Sequence, residues 1–268
     1  MTELITRFKR DMALRAFSPR TIAVYTSQLD AYLQYYQTNP DPFTSEQMKD
    51  YLYYLLEKKK LSNSGIRQCY GALKFYCTYT GDLPWAMNSL PQSKKKRRLP
   101  TVLTIQETSR LLKAAANLKH QTMLTLIYSS GLRVSELPPL VTNDIQRTGM
   151  KLLVREAKGG KDRYTVLSQH CLTLLETYWK AYRPKEYLFP GRGGKTRLSV
   201  RACQHAFELA KAKAAISKKG GIPTLRHSFA TPALEGGMGI FQLQKMLGHK
   251  NLKTTLGYVH LSEEKILV

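Results

Sequence analysis

The sequence predicts a mainly α-helical protein with a small antiparallel β-sheet, an α+β chain in two domains. Apolar residues recur at three- and four-residue spacing along most of the chain, a pattern typical of amphipathic helices. Two β-like runs, 151–155 and 163–167, flank a glycine-containing turn and predict a hairpin. A stretch rich in proline and cations separates the halves, so we expect a helical domain at 1–90, a linker at 91–100 and a second domain at 101–268.

Helix caps and apolar spacing predict three helices in the first domain. Ser18 is a good N-cap, and Pro19 suits the first helical position. Thr44 and Gln47 form a capping-box pattern ahead of a second apolar stretch. Gly81 is placed to end a third helix. Three or four short helices of this kind form a compact bundle.

The second domain begins with helical signals and returns to them after the hairpin. Thr104 opens another capping-box pattern, and residues 120–130 read as a helix that ends at Gly131. From 170 onward the pattern is helical again, apart from a glycine- and proline-rich break at 190–194.

The charge of the chain indicates a polyanionic partner. Lys+Arg number 42 against 19 Asp+Glu, a formal charge of +23, and such a chain repels itself unless an anion neutralises it. Nucleic acid is the first candidate and an anionic membrane surface the second, but the cations do not follow one amphipathic stripe. No apolar run approaches the roughly 20 residues of a spanning helix. The linker is predicted to follow a DNA backbone rather than act as a passive tether. It would contact the phosphates through five consecutive cations, Lys94, Lys95, Lys96, Arg97 and Arg98.

The four cysteines indicate a reducing compartment. They are far apart and lack CxxC spacing, so buried free thiols are expected rather than disulfides or zinc ligands. The first residues lack the apolar segment of a signal peptide. We therefore expect a cytoplasmic protein.

Five residues suit attack on a phosphodiester when taken as an ordered set: Arg133, Lys158, Arg226, His249 and Tyr258. Singly, each has an ordinary interpretation, such as a surface salt bridge for Arg133 or an exposed turn residue for Lys158. Together they supply planar donors for a phosphate, a flexible cation, an imidazole and a nucleophilic phenol. Glu136 lies three residues after Arg133 and is expected to hold its guanidinium.

The motifs around these residues resemble those of the tyrosine recombinase (integrase) family, which includes phage, Xer-type and transposon integrases. The matching segments are GLRVSEL (131–137), KGGKDR (158–163), LRHSFAT (225–231), LGHKNLKTT (247–255) and GY (257–258). The resemblance covers nearly the whole chain. SPRTIAVYTSQL (18–29) looks like the start of the family's helical, SAM-like core-binding domain, which makes 101–268 the catalytic domain.

The resemblance implies site-specific cutting and rejoining of DNA through a 3′-phosphotyrosine intermediate. By position in these motifs, Arg133 and Arg226 would clamp the scissile phosphate, Lys158 would protonate the leaving 5′ oxygen, His249 would hydrogen-bond the phosphate and Tyr258 would be the nucleophile. A second cation of the hairpin, Lys161, is a less suitable substitute for Lys158; it and Arg163 are expected among the DNA-binding residues.

The same resemblance implies the partners. It predicts a double-stranded recombination site, a homotetramer on two DNA duplexes and association with the nucleoid, with DNA-bending accessory proteins as an open possibility. No metal or other cofactor is expected, because the arginines supply the charge a cation would.

Two prolines depart from the family pattern. Pro223 stands where the family usually has a histidine three residues before the second arginine, and Pro232 replaces another. Proline cannot act as a general base, and His227 is expected to point the wrong way relative to Arg226 for a simple exchange. Either another group or water takes the tyrosine proton, or cleavage is slow. The alternatives are therefore a DNA-binding protein with lost or weakened cleavage, or a relaxing enzyme similar to type IB topoisomerases.

Overall fold

The structure, a computed structural model, confirms a mainly helical chain with one small antiparallel sheet. It describes residues 2–36, 43–85, 100–157 and 161–263, without the side chains at 156, 157, 161 and 260–263. Two compact units are present, Met1–Lys96 and Arg97–Val268. Residues 91–99 of the expected linker, with all five of its consecutive cations, lie outside the described residues.

The first unit is a helical bundle. Ser18 caps its second helix by accepting a hydrogen bond from the backbone of Thr21 at 3.2 Å, and the capping box of Thr44 and Gln47 forms as predicted. The third predicted helix ends at Gly81 as expected, although its last turn, Tyr76–Thr80, is π-helical. The elements are α1 (Thr2–Leu14), α2 (Pro19–Tyr36), α3 (Ser45–Glu57), α4 (Asn63–Phe75) and the π-helical turn Tyr76–Thr80.

Helix α1 was not predicted, although its apolar residues follow a helical pattern. Ile5, Phe8 and Met12 lie on one face at spacings of three and four. Phe8 and Met12 are fully buried, and the ring of Phe8 meets that of Phe75 edge to face at 5.5 Å. This helix therefore closes one side of the bundle core.

The second unit combines seven α-helices in its described residues with a three-stranded sheet. Helix α6 begins two residues before the predicted start, because the side chain of Asn117 caps the backbone N–H of His120. The elements are α5 (Ile105–Lys113), α6 (Leu118–Ser129), β1 (Ile145–Gln146), β2 (Lys151–Ala157), β3 (Lys161–Val166), α7 (Gln169–Tyr182), α8 (Val200–Lys213), α9 (Pro223–Glu235), α10 (Ile240–Leu247) and α11 (Leu252–Glu263), with 3-10 turns at Val134–Glu136 and Thr142–Asp144.

The sheet has the order β1-β2-β3, and both pairs are antiparallel. The predicted hairpin is present, with Leu152 opposite Thr165, while the two-residue strand β1 was not predicted. The turn residues 158–160 lie outside the described part of the chain.

The second unit contains a large apolar core and a smaller cluster. The smaller cluster consists of Ala230, Leu243, Leu247 and Tyr258, contributed by α9, α10 and α11. Its position brings the first half of α9, the end of α10 and the middle of α11 together. Among the described residues, no helix is both long and apolar enough to cross a membrane.

All four cysteines are buried free thiols, as predicted. Cys69 and Cys77 lie in the core of the first unit, and Cys171 and Cys203 lie in that of the second. Burial raises the pKa of each thiol, to about 12 for Cys69 and about 11 for the other three.

Candidate active site

Arg226 lies in the first turn of α9 and is 5% exposed. It donates from Nη1 to the carbonyl of Gly131 at 2.8 Å, and from Nη2 to the carbonyl of Leu247 at 2.7 Å and Nε2 of His249 at 2.9 Å. Burial, then the charge of Arg133, lowers the pKa of Arg226 to about 10. The guanidinium therefore stays charged at neutral pH inside a largely dehydrated site, where its attraction for an anion is strong.

Arg133 follows the end of α6 and contacts the segment after α10. Its Nη1 donates to Oε1 of Glu136 at 2.8 Å, and its Nη2 donates to the carbonyl of Gly248 at 2.9 Å. The carboxylate of Glu136 also accepts the backbone N–H of Arg133 at 2.9 Å. Glu136 thus fixes both the backbone N–H and the guanidinium of Arg133. The side chain is a quarter exposed, so the remaining N–H donors of the guanidinium can reach a ligand.

Glycines provide two of the three carbonyls that hold the two arginines. Gly131 and Gly248 have positive φ angles of 59° and 64°, the region that favours glycine. A Cβ on Gly131 would lie 2.7 Å from the side chains of Leu247 and Phe229. A Cβ on Gly248 would lie 2.8 Å from Cδ of Arg163. The close approach of these segments therefore depends on the absence of a side chain at both positions.

Arg163, expected among the DNA-binding residues, is held inside the second unit by Glu136. The Arg163 side chain on β3 is 8% exposed and donates from Nη1 and Nη2 to the two oxygens of Glu136 at 2.9 and 2.7 Å. Its Nε donates to the carbonyl of Met246 at 2.8 Å. Sequence reasoning missed this role, because Glu136 and Arg163 meet only through the tertiary fold. Arg163 is a buried partner of Glu136, not a surface cation.

His249 follows α10 and bridges Arg226 to α11. Because a guanidinium only donates, Nε2 of His249 must accept the hydrogen bond from Arg226. The proton of the neutral ring is then on Nδ1, which donates to Oγ1 of Thr255 at 2.9 Å. Burial, followed by the charge of Arg226, lowers the pKa of His249 to about 3, which agrees with a neutral ring.

Tyr258 is 4% exposed, and its hydroxyl lies beside two groups from α9. Its Oη is 2.9 Å from Nδ1 of His227, and Arg226 also hydrogen-bonds the phenol. The rings of Tyr258 and His249 stack at 6.2 Å with an angle of 12°. Burial raises the pKa of Tyr258, while the charge and hydrogen bond of Arg226 oppose that rise.

His227 was expected to point the wrong way relative to Arg226 to replace the missing histidine, and its contact with Tyr258 contradicts this. Residue 227 follows Pro223 by four positions and therefore lies on the same face of α9. The four-residue spacing in the sequence was enough to predict that His227 shares a helix face with Pro223. Pro223 itself opens α9 at a position where a missing N–H has no cost, and Pro232 lies inside the helix.

Several predicted residues have no described side chain. Lys158 and the five linker cations, Lys94, Lys95, Lys96, Arg97 and Arg98, lie outside the described residues, and only the backbone of Lys161 is described, at the start of β3. The structure thus brings together Arg133, Arg226, His249 and Tyr258, with Glu136 beneath them. Within the described residues, no group of three His, Cys, Asp or Glu side chains is arranged to hold a metal ion.

Comparison with known proteins gives the class of the molecule. Residues 101–265 match the phage integrase family, and residues 4–87 match the phage integrase N-terminal SAM-like domain. A Sinorhizobium fredii protein provisionally named integrase/recombinase y4qK is 37% identical over 99% of this chain and 87% of its own length. Tyrosine recombinase XerA of Pyrococcus horikoshii is 32% identical over 99% of this chain and 91% of its own length.

A solved structure shares the fold. The crystal structure of XerH site-specific recombinase bound to palindromic difH substrate, a post-cleavage complex, has a TM-score of 0.74. It is 20% identical and covers 91% of this chain and 77% of the XerH chain.

The chain belongs to the phage integrase family, and it is a tyrosine recombinase. The resemblance drawn from the motifs is thereby confirmed. Site-specific DNA recombination is favoured over the two alternatives, a binding-only protein and a relaxing enzyme.

Proposed function

We propose that Tyr258 attacks a scissile DNA phosphate and forms a 3′-phosphotyrosine bond, releasing a 5′ hydroxyl. The observation that carries this proposal is the convergence of Tyr258 in the middle of α11, His249 after α10 and two arginines, one in the first turn of α9 and one after α6. A covalent intermediate divides a difficult strand exchange into two easier steps. The phosphotyrosine keeps the energy of the cleaved bond, so no ATP is required for rejoining.

Arg133 and Arg226 are assigned to the non-bridging oxygens of that phosphate. Their fixed hydrogen bonds to Glu136 and to backbone carbonyls leave little reorganisation to occur when charge develops. Two positive charges in one dehydrated site stabilise the pentacovalent transition state. We therefore propose a reaction without a metal or another cofactor.

His249 is assigned a hydrogen bond to the phosphate. Its Nε2 accepts a hydrogen bond from Arg226, so donation to a phosphate requires the ring to change tautomer or gain a proton. Lys158, between β2 and β3, is assigned the protonation of the leaving 5′ oxygen, with Lys161 as the less suitable alternative.

The charge of +23 supports a duplex recombination site as the substrate. We propose that residues 1–90 form a core-binding domain, that the linker 91–100 follows the DNA backbone, and that 101–268 form the catalytic domain. Exchange between two duplexes needs four cleavage events, which supports a DNA-bound homotetramer in the cytoplasm at the nucleoid. Accessory DNA-bending proteins are compatible with such an assembly.

Covalent selection tests the proposal and identifies the target sequence in the same experiment. A pool of nicked duplexes with a randomised centre is incubated with the protein, denatured, and captured through the protein. A nick lets the short 5′-hydroxyl strand leave, so cleaved DNA stays attached. The expected result is enrichment of one sequence family by the wild type and none by Tyr258→Phe.

Two outcomes would remove the proposal. One is the absence of any denaturation-resistant complex from the wild-type selection. The other is a complex whose DNA maps by mass spectrometry to a residue other than Tyr258, or one that persists in Tyr258→Phe.

A further inference from the structure

The contact between His227 and Tyr258 has a catalytic geometry. Nδ1 of His227 lies 2.9 Å from Oη of Tyr258, within the range at which a general base removes a proton. The ring centroids are 5.6 Å apart. His227 also lies one helical turn after Pro223, on the face of α9 where the usual histidine is missing.

We infer that His227 accepts the phenolic proton of Tyr258 during cleavage and returns it during rejoining. This inference rests on the proposed function, because it assigns a base to the tyrosine that attacks DNA. It also explains how the site retains a proton acceptor with proline at 223.

The other neighbours of the phenol cannot take this proton. Arg226 hydrogen-bonds Tyr258, but a guanidinium has no acceptor atom. His249 stacks on Tyr258, yet its Nε2 already accepts from Arg226 and its Nδ1 donates to Thr255. His227 presents a ring nitrogen to the hydroxyl itself.

The charges around His227 keep it ready to accept a proton. Burial, and then the neighbouring charge of Arg226, lowers the pKa of His227, so the ring is neutral at pH 7. The charged or titratable groups facing it are Arg226 on α9, Tyr258 on α11 and His249 after α10. A bound phosphate offsets the charge of Arg226 and thereby raises the basicity of His227 when DNA is present.

The step balances as a phosphoryl transfer. The bond from Oη of Tyr258 to phosphorus forms, and the bond from phosphorus to the 5′ oxygen breaks. The phenolic proton moves to Nδ1 of His227, and the leaving 5′ oxygen takes a proton from Lys158, the proposed general acid. Rejoining reverses each transfer.

Two substitutions at His227 separate proton transfer from positioning. His227→Asn places an amide oxygen close to the position of Nδ1, so it can accept a hydrogen bond but not the proton; His227→Ala removes both. Single-turnover cleavage of the duplexes recovered by covalent selection should fall about 100-fold in both variants. DNA affinity should stay within about threefold of wild type, as expected for a group that acts only in the transition state. His170→Ala, an exposed histidine on α7, is the matched control and should cleave normally.

Chemical rescue distinguishes a base from an acid. Added imidazole should partly restore cleavage by His227→Ala, since it can enter the vacated space and accept the proton. A substrate with sulfur in place of the bridging 5′ oxygen needs no proton on its leaving group. That substrate should rescue Lys158→Ala but leave both His227 variants slow.

Two results would overturn the role of His227 and leave the proposed function intact. The first is cleavage by His227→Asn within about threefold of wild type while Tyr258→Phe forms no adduct. The second is full rescue of the His227 variants by the sulfur substrate, which would place His227 on the leaving-group side. Failure of the wild type to form any adduct would instead remove the proposed function itself.

Discussion

Arg163 donates one hydrogen bond to each carboxylate oxygen of Glu136, at 2.9 and 2.7 Å, inside the second unit. Removing one partner of a buried ion pair leaves the other charge uncompensated, so Arg163→Met should lower the free energy of unfolding by about 3 kcal/mol. Urea denaturation of the intact chain measures this loss.

The exposed pair of Arg147 and Glu176 provides the control. Their side chains are 70% and 38% exposed, so Arg147→Met should cost less than about 1 kcal/mol. Equal losses of unfolding free energy in the two methionine variants would show that burial does not make the Arg163–Glu136 pair more stabilising than an exposed pair.

The same carboxylate predicts a pH dependence of stability. Burial pushes the pKa of Glu136 up, but hydrogen bonds and charge from Arg163, together with those from Arg133, bring it below the ordinary value. A lowered folded-state pKa stabilises the fold fully above the unfolded value of about 4.3, and this contribution is lost as pH falls below it. The stability advantage of wild type over Glu136→Gln should therefore shrink as pH falls from neutral into that acidic range. A constant advantage in urea denaturation across the range would contradict it.

Gly248→Ala tests the close approach that holds Arg133. The positive φ of 64° and the 2.8 Å contact with Cδ of Arg163 should together cost about 1–2 kcal/mol of stability. Strand cleavage should slow as well, because the carbonyl of Gly248 binds Arg133. Gly149→Ala should be nearly neutral in both assays, since its Cβ would meet only the side chain of Lys151, at 3.7 Å.

Thr255→Val tests the tautomer of His249. Valine keeps the shape of the fully buried threonine but removes the acceptor of the Nδ1 proton. Loss of one such hydrogen bond is worth about 1 kcal/mol, so single-turnover cleavage should slow by roughly tenfold at most. Thr254→Val, at the exposed neighbouring position, should cleave at the wild-type rate. A Thr255→Val rate matching that control would show that the tautomer is held by Arg226 alone.

Pro223→His tests the exchange of roles along α9. Residues 223 and 227 share a helix face, so a histidine at 223 should restore cleavage to His227→Ala by at least tenfold, out of the roughly 10²–10⁴-fold that acid–base assistance provides. In the wild-type background, the same change should raise the rate on a nicked substrate. No gain in either background would mean that the site has adapted to proline.

Local chemistry predicted much of the fold. The capping boxes at Thr44 and Thr104 and the hairpin formed as expected, because a cap or a turn depends on residues a few positions apart. Strand β1 was missed because two residues carry no periodic signal, and its pairing with β2 arises only in the sheet. Helix α1 was missed although its spacing was readable.

The candidate site was predictable in its residue types and less so in its contacts. The motifs pointed to Arg133, Arg226, His249 and Tyr258, which the structure gathers. The burial of Arg163 depends on a partner 27 residues away, and no short-range pattern reveals it. The hydrogen-bond partners of the arginines are largely backbone carbonyls, which sequence patterns do not report.

The buried thiols give each unit its own chemical reporter. Two cysteines lie within each core, and at neutral pH their raised pKa values leave almost no reactive thiolate. An aromatic disulfide reagent should therefore react with these thiols, and release its coloured thiolate, only as a core unfolds. Each unit should react with two equivalents of the reagent. Peptide mapping of the labelled cysteines then shows which half of an intact recombinase loosens first, without cutting the chain.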